Sequence, residues 1–260
     1  MTDDWVMLAN RYRDSAVFGA DLWNEPKGQS TWASGDNTTD WNKAAERIGN
    51  AILAANSDWL IIVEGVGNNS WWGGNLEGVA ENPVVLNIPN KIVYSVHEYG
   101  QDVSNQTWLL DPAFPDNLRS VWNKNFGYIV KQNIAPVYVG EYGTAFRHRL
   151  ESTWLKHWIK YMNGEFTSDG VNDLLPNQFG LSWTFWAFNP GGDVGGLLEE
   201  DWITVNELKM SYIRPAMEAL ATSPTSAPSP TLPVFSYYHT NGSQIVDQSG
   251  KPTRFFGVNW

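Results

Sequence analysis

The stretch TDWNKAAERIGNAILAAN (39–56), followed after two residues by WLIIVEGV (59–66), decides the fold class of this chain. The first segment carries apolar residues at helical spacing, and the second is a short apolar run typical of a buried strand. A helix that leads directly into a buried strand is the repeating unit of α/β proteins with a parallel sheet.

The same alternation extends over most of the chain. Residues 2–13 predict a helix that leads into the first strand, and further helices are predicted near 116–132, 151–163 and 205–220. Besides 59–66, the predicted strands are VFGADLW (17–23), KIVYSVHEY (91–99), APVYVGEYG (135–143) and LSWTFWAF (181–188). Residues 1–220 are therefore predicted to hold five parallel strands of an α/β barrel.

A segment of different composition interrupts this pattern. The sequence ATSPTSAPSPTLP (221–233) is rich in Pro, Ser and Thr, which predicts an extended linker. In the last region, 234–260, Asn241-Gly242 is a turn signal that predicts a small hairpin. The final stretch KPTRFFGVNW (251–260) then predicts a sixth strand of the parallel sheet.

Composition excludes several classes of function. The 260 residues carry a net charge of −11, which disfavours nucleic acid and anionic membranes as partners. Aromatic residues make up 14% of the chain, and their flat faces suit sugar rings, although a Trp-rich core accounts for part of them. The chain has no Cys, and His148, His157 and His239 show no metal-ligand spacing. We expect neither a cofactor nor a metal.

Two glutamates follow apolar runs at the ends of predicted strands. Glu25 closes the motif DLWNE before Pro26, and Glu141 follows VYVG. In a (β/α) barrel the chemistry lies where the strands run out into the βα loops. Either residue alone could be a solvated charge at a strand end. Two such carboxylates at matching strand ends are what glycoside hydrolysis needs, one as acid and one across the sugar ring.

The motifs LWNEP, YSVHEYG, VGEYGT and SWTFWAFNP occur in order with barrel spacing, together with WWGGN. With these motifs the chain resembles the bacterial endo-β-1,4-glucanases of glycoside hydrolase family 5. The resemblance implies a TIM-type (β/α)8 fold and double-displacement hydrolysis of internal bonds in cellulose or related β-glucans. It implies Glu25 as acid/base and Glu141 as nucleophile, with carboxyl groups roughly 5–5.5 Å apart.

The resemblance also assigns supporting residues. Asn24 would bind a sugar hydroxyl, although capping of the strand-to-loop turn is the alternative role. His97 and Tyr99 lie two apart on one strand and so face the same side, where the family holds the two carboxylates in hydrogen bonds. The alternative is that His97 is a core residue with no role in the site, as an isolated inward-facing His usually is. Trp186 would form the sugar platform at the cleavage point, and Trp71 or Trp72 an outer platform.

The order of the segments departs from the family. The sequence from 234 to 260 resembles the family's N-terminal hairpin and first barrel strand, which predicts a circular permutation. Counterparts of barrel strands 2 and 3 are missing, together with an arginine and a histidine of the site. The predicted fold is thus an incomplete barrel with six of eight strands. Its open edges predict association with a second copy of the chain.

Alternatives remain at this level. The chain could be a non-catalytic glucan-binding remnant or an inactive fragment, and enzymes for mannan, xyloglucan and xylan share the carboxylate pair. Because cellulose lies outside the cell, we expect a secreted protein. No intact signal peptide is recognisable in this sequence, so its signal is expected outside this chain.

Overall fold

The computed structural model of the protein describes residues 1–67, 72–104, 106–176, 178–192, 194–221 and 237–259. In these residues no helix is long and apolar enough to cross a membrane. The helices are α1 (Thr2–Arg11), α2 (Trp41–Ala55), α3 (Leu118–Trp122), α4 (Tyr128–Lys131), α5 (Glu151–Met162) and α6 (Glu207–Ala221). A 3₁₀ turn covers Thr107–Leu109, and a π-helical turn, Asn123–Gly127, joins α3 to α4.

The strands follow the predicted positions with narrower limits. They are β1 (Gly19–Asp21), β2 (Leu60–Glu64), β3 (Ile92–Tyr99), β4 (Val137–Gly143), β5 (Ser182–Phe185), β6 (His239–Asn241), β7 (Gln244–Val246), β8 (Pro252–Thr253) and β9 (Phe256–Val258). All five residues of β2 are buried, as the apolar run 60–63 predicts for its first four; the fifth is Glu64.

The sheet has the topology of a partial (β/α) barrel. Six strands follow the order β1-β2-β3-β4-β5-β9. The pairs β1–β2, β2–β3 and β5–β9 are parallel, with Gly19 opposite Leu60, Ile61 opposite Ile92 and Trp183 opposite Phe256. The predicted fold class, an incomplete TIM-type barrel of the α/β class, is confirmed. In the described residues the last strand, β9, lies beside β5.

The hairpin predicted at Asn241-Gly242 is present as β6 and β7. Gly242 has a φ of +54°, and a Cβ at this position would collide with the Asn133 side chain. The structure adds β8, which pairs with β7 to give a second, three-stranded sheet in the order β6-β7-β8. Residues 222–233 of the predicted linker lie outside the described residues.

The chain divides into two compact units. The first comprises residues 1–97, 123–138 and 235–253, and the second comprises 98–122, 139–234 and 254–260. In the first unit, α2 buries one face of its amphipathic pattern through Ala45, Ile48, Ile52 and Leu53. This helix packs against α1.

The loop that leads into α2 is held by a carboxylate. Asp40 precedes the helix, yet it makes no capping hydrogen bond to it. Its carboxylate instead accepts bonds from the Thr31 hydroxyl, the Ser34 amide and hydroxyl, and the Gly35 amide. Burial opposes ionisation, but these hydrogen bonds outweigh it and lower the pKa of Asp40 to about 2.

The core of the second unit is aromatic. Trp122, Trp154, Trp158 and Tyr161 are fully buried, and the rings of Trp158 and Tyr161 stack with centroids 5.8 Å apart. A core function therefore accounts for several of the tryptophans that composition alone left open.

A buried arginine fixes the chain just before β9. Arg254 donates from Nε to the Leu181 carbonyl at 2.7 Å and from Nη2 to the Met162 carbonyl at 3.1 Å. Burial lowers the pKa of this guanidinium to about 10. One side chain thus bridges a carbonyl at the end of α5 and one just before β5, and the Met162 carbonyl also accepts the Leu181 N–H at 2.7 Å.

Candidate functional site

Glu25 lies four residues beyond the end of β1, in the first unit. Its φ of 49° is in the left-handed region, which a non-glycine residue rarely adopts without compensation. The compensation is a hydrogen bond from the Glu25 N–H to Oε2 of Glu64, at 3.0 Å. The backbone at Glu25 is therefore fixed by a side chain from β2.

His97 lies between two carboxylates of the first unit. Its Nδ1 is 2.9 Å from Oε1 of Glu25, and its Nε2 is 3.5 Å from Oε1 of Glu64. The exposed fractions of the Glu25, His97 and Glu64 side chains are 16%, 3% and 1%. The backbone N–H of His97 donates to the Trp72 carbonyl at 3.1 Å. Glu25 is thus the member of the group that reaches solvent.

In the second unit, Glu141 forms a side-chain hydrogen bond with Tyr99, as Glu25 does with His97 in the first unit. Glu141 lies within β4, two residues before its end, and Tyr99 is the last residue of β3. The Tyr99 hydroxyl donates to Oε2 of Glu141 at 2.6 Å. A hydrogen bond of this length to a carboxylate is a strong one, and it stabilises the ionised form of Glu141.

A cavity of about 760 Å³ opens beside Glu25 in the first unit. Its volume lies within the range of small-molecule sites. The walls carry polar groups from the connection between β1 and α2, with one large exposed aromatic residue. They include Trp23, Asn24, Glu25, Lys27, Gln29, Asn37 and Thr38. Asn24, predicted to bind a sugar hydroxyl, is exposed and lines this cavity.

The tryptophans predicted to form sugar platforms are partly exposed where the structure describes them. Trp186 follows β5 and is partly exposed, whereas Trp183, three residues earlier, is 1% exposed and packs against Tyr142 and Phe256. Trp72 is partly exposed and its carbonyl holds His97. Trp71 lies outside the described residues.

Two residues of this region escaped the sequence reasoning. Glu64 directly follows the apolar residues WLIIV, just as Glu25 and Glu141 follow apolar runs. The same search for carboxylates at strand ends could therefore have identified it. Trp23 is 52% exposed beside Glu25, where period-2 alternation alone does not separate a platform from a packing residue.

Comparison with known proteins places the chain in a family. The model of the family described as "Cellulase (glycosyl hydrolase family 5)" matches residues 1–192. The chain belongs to glycoside hydrolase family 5. Family membership agrees with the strand order of an incomplete TIM-type barrel.

Curated relatives carry endoglucanase names. An endoglucanase of Paenibacillus polymyxa is 48% identical over 84% of this chain and 54% of its own length. The major extracellular endoglucanase of Xanthomonas campestris is 38% identical over 81% of this chain and 43% of its own. The chain thus spans about half the length of the curated relatives it matches.

Solved structures of family members superpose on the chain. An endocellulase of Pyrococcus horikoshii in complex with cellotetraose gives a TM-score of 0.72 at 35% identity, covering 83% of this chain and 62% of that one. The catalytic domain of the Xanthomonas campestris endoglucanase gives 0.71 at 36% identity, covering 84% and 62%.

Proposed function

We propose that the protein is a retaining endo-β-1,4-glucanase that hydrolyses internal bonds of cellulose or a related β-glucan. Glu25 is the acid/base and Glu141 the nucleophile. The observation that carries this proposal is the pairing of each glutamate with its own partner, His97 Nδ1 at 2.9 Å and the Tyr99 hydroxyl at 2.6 Å. A carboxylate that must change its protonation state and one that must stay ionised need different partners.

The chemistry proceeds in two displacements. Glu25, protonated, gives its proton to the leaving glycosidic oxygen while a carboxylate oxygen of Glu141 attacks the anomeric carbon and forms a glycosyl-enzyme ester. Glu25, now ionised, takes a proton from water, and the resulting hydroxide attacks the same carbon and releases Glu141. Two inversions give a product with the configuration of the substrate.

Support for a β-glucan substrate comes from the walls around Glu25 and from the relatives. Trp23 and Asn24 offer a flat apolar face and an amide beside the proposed acid, which suit a sugar ring and its hydroxyls. The relatives are named endoglucanases, and the Pyrococcus horikoshii enzyme was solved with cellotetraose. We propose Trp186 as a further platform, and Trp71 or Trp72 as an outer one. Because one relative is named extracellular, we propose that this protein also acts outside the cell.

The test is release of reducing sugar from carboxymethylcellulose, with mannan and xyloglucan in parallel. Glu141→Gln is expected to lose at least about 10³-fold, since the nucleophile is removed without a change of shape. Glu200→Gln, at an exposed position, is the matched control and keeps the parent rate. Proton NMR of the first product should show the β-anomer. Binding to cellulose with no release by the parent would instead identify a glucan-binding remnant.

We also propose that the barrel is circularly permuted and closed by a second copy. Support comes from the two edge strands of the sheet, β1 and β9. In β9, Phe256 and Val258 are 43% and 45% exposed. The neighbouring strand that a full barrel supplies would come from the other chain. Light scattering should give twice the chain mass of 29.2 kDa at micromolar concentration. A mass of one chain refutes the association.

A further inference from the structure

Glu64 is a buried carboxylate in contact with the proposed acid, and the reaction described above does not use it. It is the last residue of β2, and its side chain is 1% exposed. One oxygen, Oε2, accepts the backbone N–H of Glu25 at 3.0 Å. The other, Oε1, lies 3.5 Å from Nε2 of His97.

The surroundings hold Glu64 in one place. The backbone carbonyl of Glu64 accepts a hydrogen bond from Nε1 of Trp41 at 2.8 Å. Gly73 lies directly over the carboxylate with a φ of +66°, and a Cβ at this position would collide with Oε2. The loop is closed by a bond from the Gly65 N–H to the Gly73 carbonyl at 2.7 Å. The side chain therefore has little freedom to turn away from its two partners.

We propose that Glu64 is a positioning residue that acts on Glu25 through two routes. It fixes the left-handed backbone of Glu25, and it keeps the proton of His97 on Nε2, so that Nδ1 faces the Glu25 carboxyl. The catalytic meaning of this role rests on the proposed function, whereas the proton position on His97 is a property of the folded chain.

The position of the His97 proton follows from which neighbouring atoms donate hydrogen bonds and which accept them. Glu64 accepts the Glu25 N–H, and we take its carboxylate as ionised, so a hydrogen on the imidazole nitrogen 3.5 Å away is favoured over a lone pair facing it. A neutral imidazole has one N–H, which leaves the lone pair of Nδ1 for the O–H of a protonated Glu25. If the ring is protonated, Nδ1–H donates to an ionised Glu25. The Nε2 proton is present in both cases, and the ring keeps its orientation while Glu25 changes its charge.

The substitution Glu64→Gln reverses this pattern for a geometric reason. The Glu25 N–H still needs an acceptor, so the amide oxygen of Gln takes the place of Oε2. The amide NH₂ then faces Nε2 of His97, which must become an acceptor. Among the four histidines of the chain, the His97→Gln spectrum identifies the resonances of His97.

The experiment is ¹⁵N NMR of the imidazole nitrogens. We expect Nε2 of His97 to be protonated in the parent chain and unprotonated in Glu64→Gln, with the parent pattern retained in the control Glu81→Gln at an exposed position. An unprotonated Nε2 in the parent overturns the proposal even if the variant fails to fold. An unchanged Nε2 proton in a folded Glu64→Gln overturns it as well.

A kinetic comparison separates positioning from a general loss of structure. Cleavage of a cello-oligosaccharide needs the acid, whereas 2,4-dinitrophenyl β-cellobioside has a leaving group that departs without protonation. We expect kcat/KM of Glu64→Gln to fall at least about 10-fold more on the oligosaccharide than on the aryl glycoside. An equal fall on both substrates contradicts the proposal. If the parent cleaves neither, the proposed function fails and the NMR result still decides the role of Glu64.

Discussion

Glu98 is a fully buried carboxyl group whose protonation should control stability near neutral pH. It lies on β3 in the second unit, between the aromatic side chains of α3 and α5. Nε1 of Trp122 and Nε1 of Trp154 donate to Oε1 at 3.0 and 3.3 Å, and Oε2 has no hydrogen-bond partner in the described part of the chain. Burial raises the pKa of Glu98 from 4.5 to about 8, although the two indole bonds oppose it.

The raised pKa makes stability depend on pH with a defined sign. Below pH 4.5 the carboxyl is protonated in both states, so it adds no dependence. Between 4.5 and about 8 the folded chain keeps the proton and the unfolded chain loses it, so stability falls as pH rises, by about 1.4 kcal/mol per pH unit. Between pH 5 and pH 8 this amounts to about 4 kcal/mol, a large share of the 5–15 kcal/mol typical of a folded domain.

The assay is urea denaturation at pH 5 and at pH 8 for the parent and for Glu98→Gln. The amide keeps an oxygen for the two indoles and cannot ionise, so the variant should lose about 4 kcal/mol less over this range than the parent. Glu200→Gln, at an exposed position, is the control and should follow the parent. Equal pH dependence in the parent and Glu98→Gln would refute the reasoning, because it would mean that Glu98 is ionised in the folded chain.

Three further substitutions test other contacts. Arg254→Met should lower the free energy of unfolding by about 1–3 kcal/mol in urea denaturation, because the Leu181 carbonyl loses its Nε donor while the Met162 carbonyl keeps the Leu181 N–H. A loss below about 0.5 kcal/mol would contradict this. Asp40→Asn should lower the midpoint of thermal unfolding at pH 7. The stabilisation by ionised Asp40 is present above pH 3.8 and is lost as pH falls through about 2, so the midpoints of parent and variant should agree near pH 1.5. A difference that persists at pH 1.5 would contradict the role of the loop contacts. Tyr99→Phe should lower kcat/KM about 10- to 100-fold, since Glu141 loses a strong donor, and an unchanged value would remove Tyr99 from the site.

The sequence predicts the middle of the sheet well because β2 and β3 are buried on both faces. The runs 59–66 and 91–99 are rich in apolar residues, and each contains one observed strand, β2 or β3. The strand limits were too wide, because the run 17–23 gives only three paired residues in β1. Pairing ends where the neighbouring strand ends, which a single run cannot reveal.

The sequence identifies Glu25 and Glu141 because each follows an apolar run, but it predicts their hydrogen-bond partners only in part. The two-residue spacing of His97 and Tyr99 predicts a common face, whereas their contacts with Glu25 and Glu141 come from the resemblance and from the structure. The left-handed backbone of Glu25 and its bond to a distant side chain depend on tertiary packing, which local pattern does not encode. Glu98 shows the same limit, since no pattern in the sequence identifies its two indole donors, Trp122 and Trp154.

If Glu141 attacks the anomeric carbon, it carries the sugar covalently during the reaction, and this intermediate can be trapped. The protein is incubated with 2,4-dinitrophenyl 2-deoxy-2-fluoro-β-cellobioside, whose glycosyl-enzyme forms faster than it hydrolyses, and the digested chain is analysed by mass spectrometry. We predict one added fluorocellobiosyl group on the peptide that contains Glu141, and none in Glu141→Gln. A label on a different carboxylate, or dinitrophenol release without any label, would contradict the assignment of Glu141 as nucleophile.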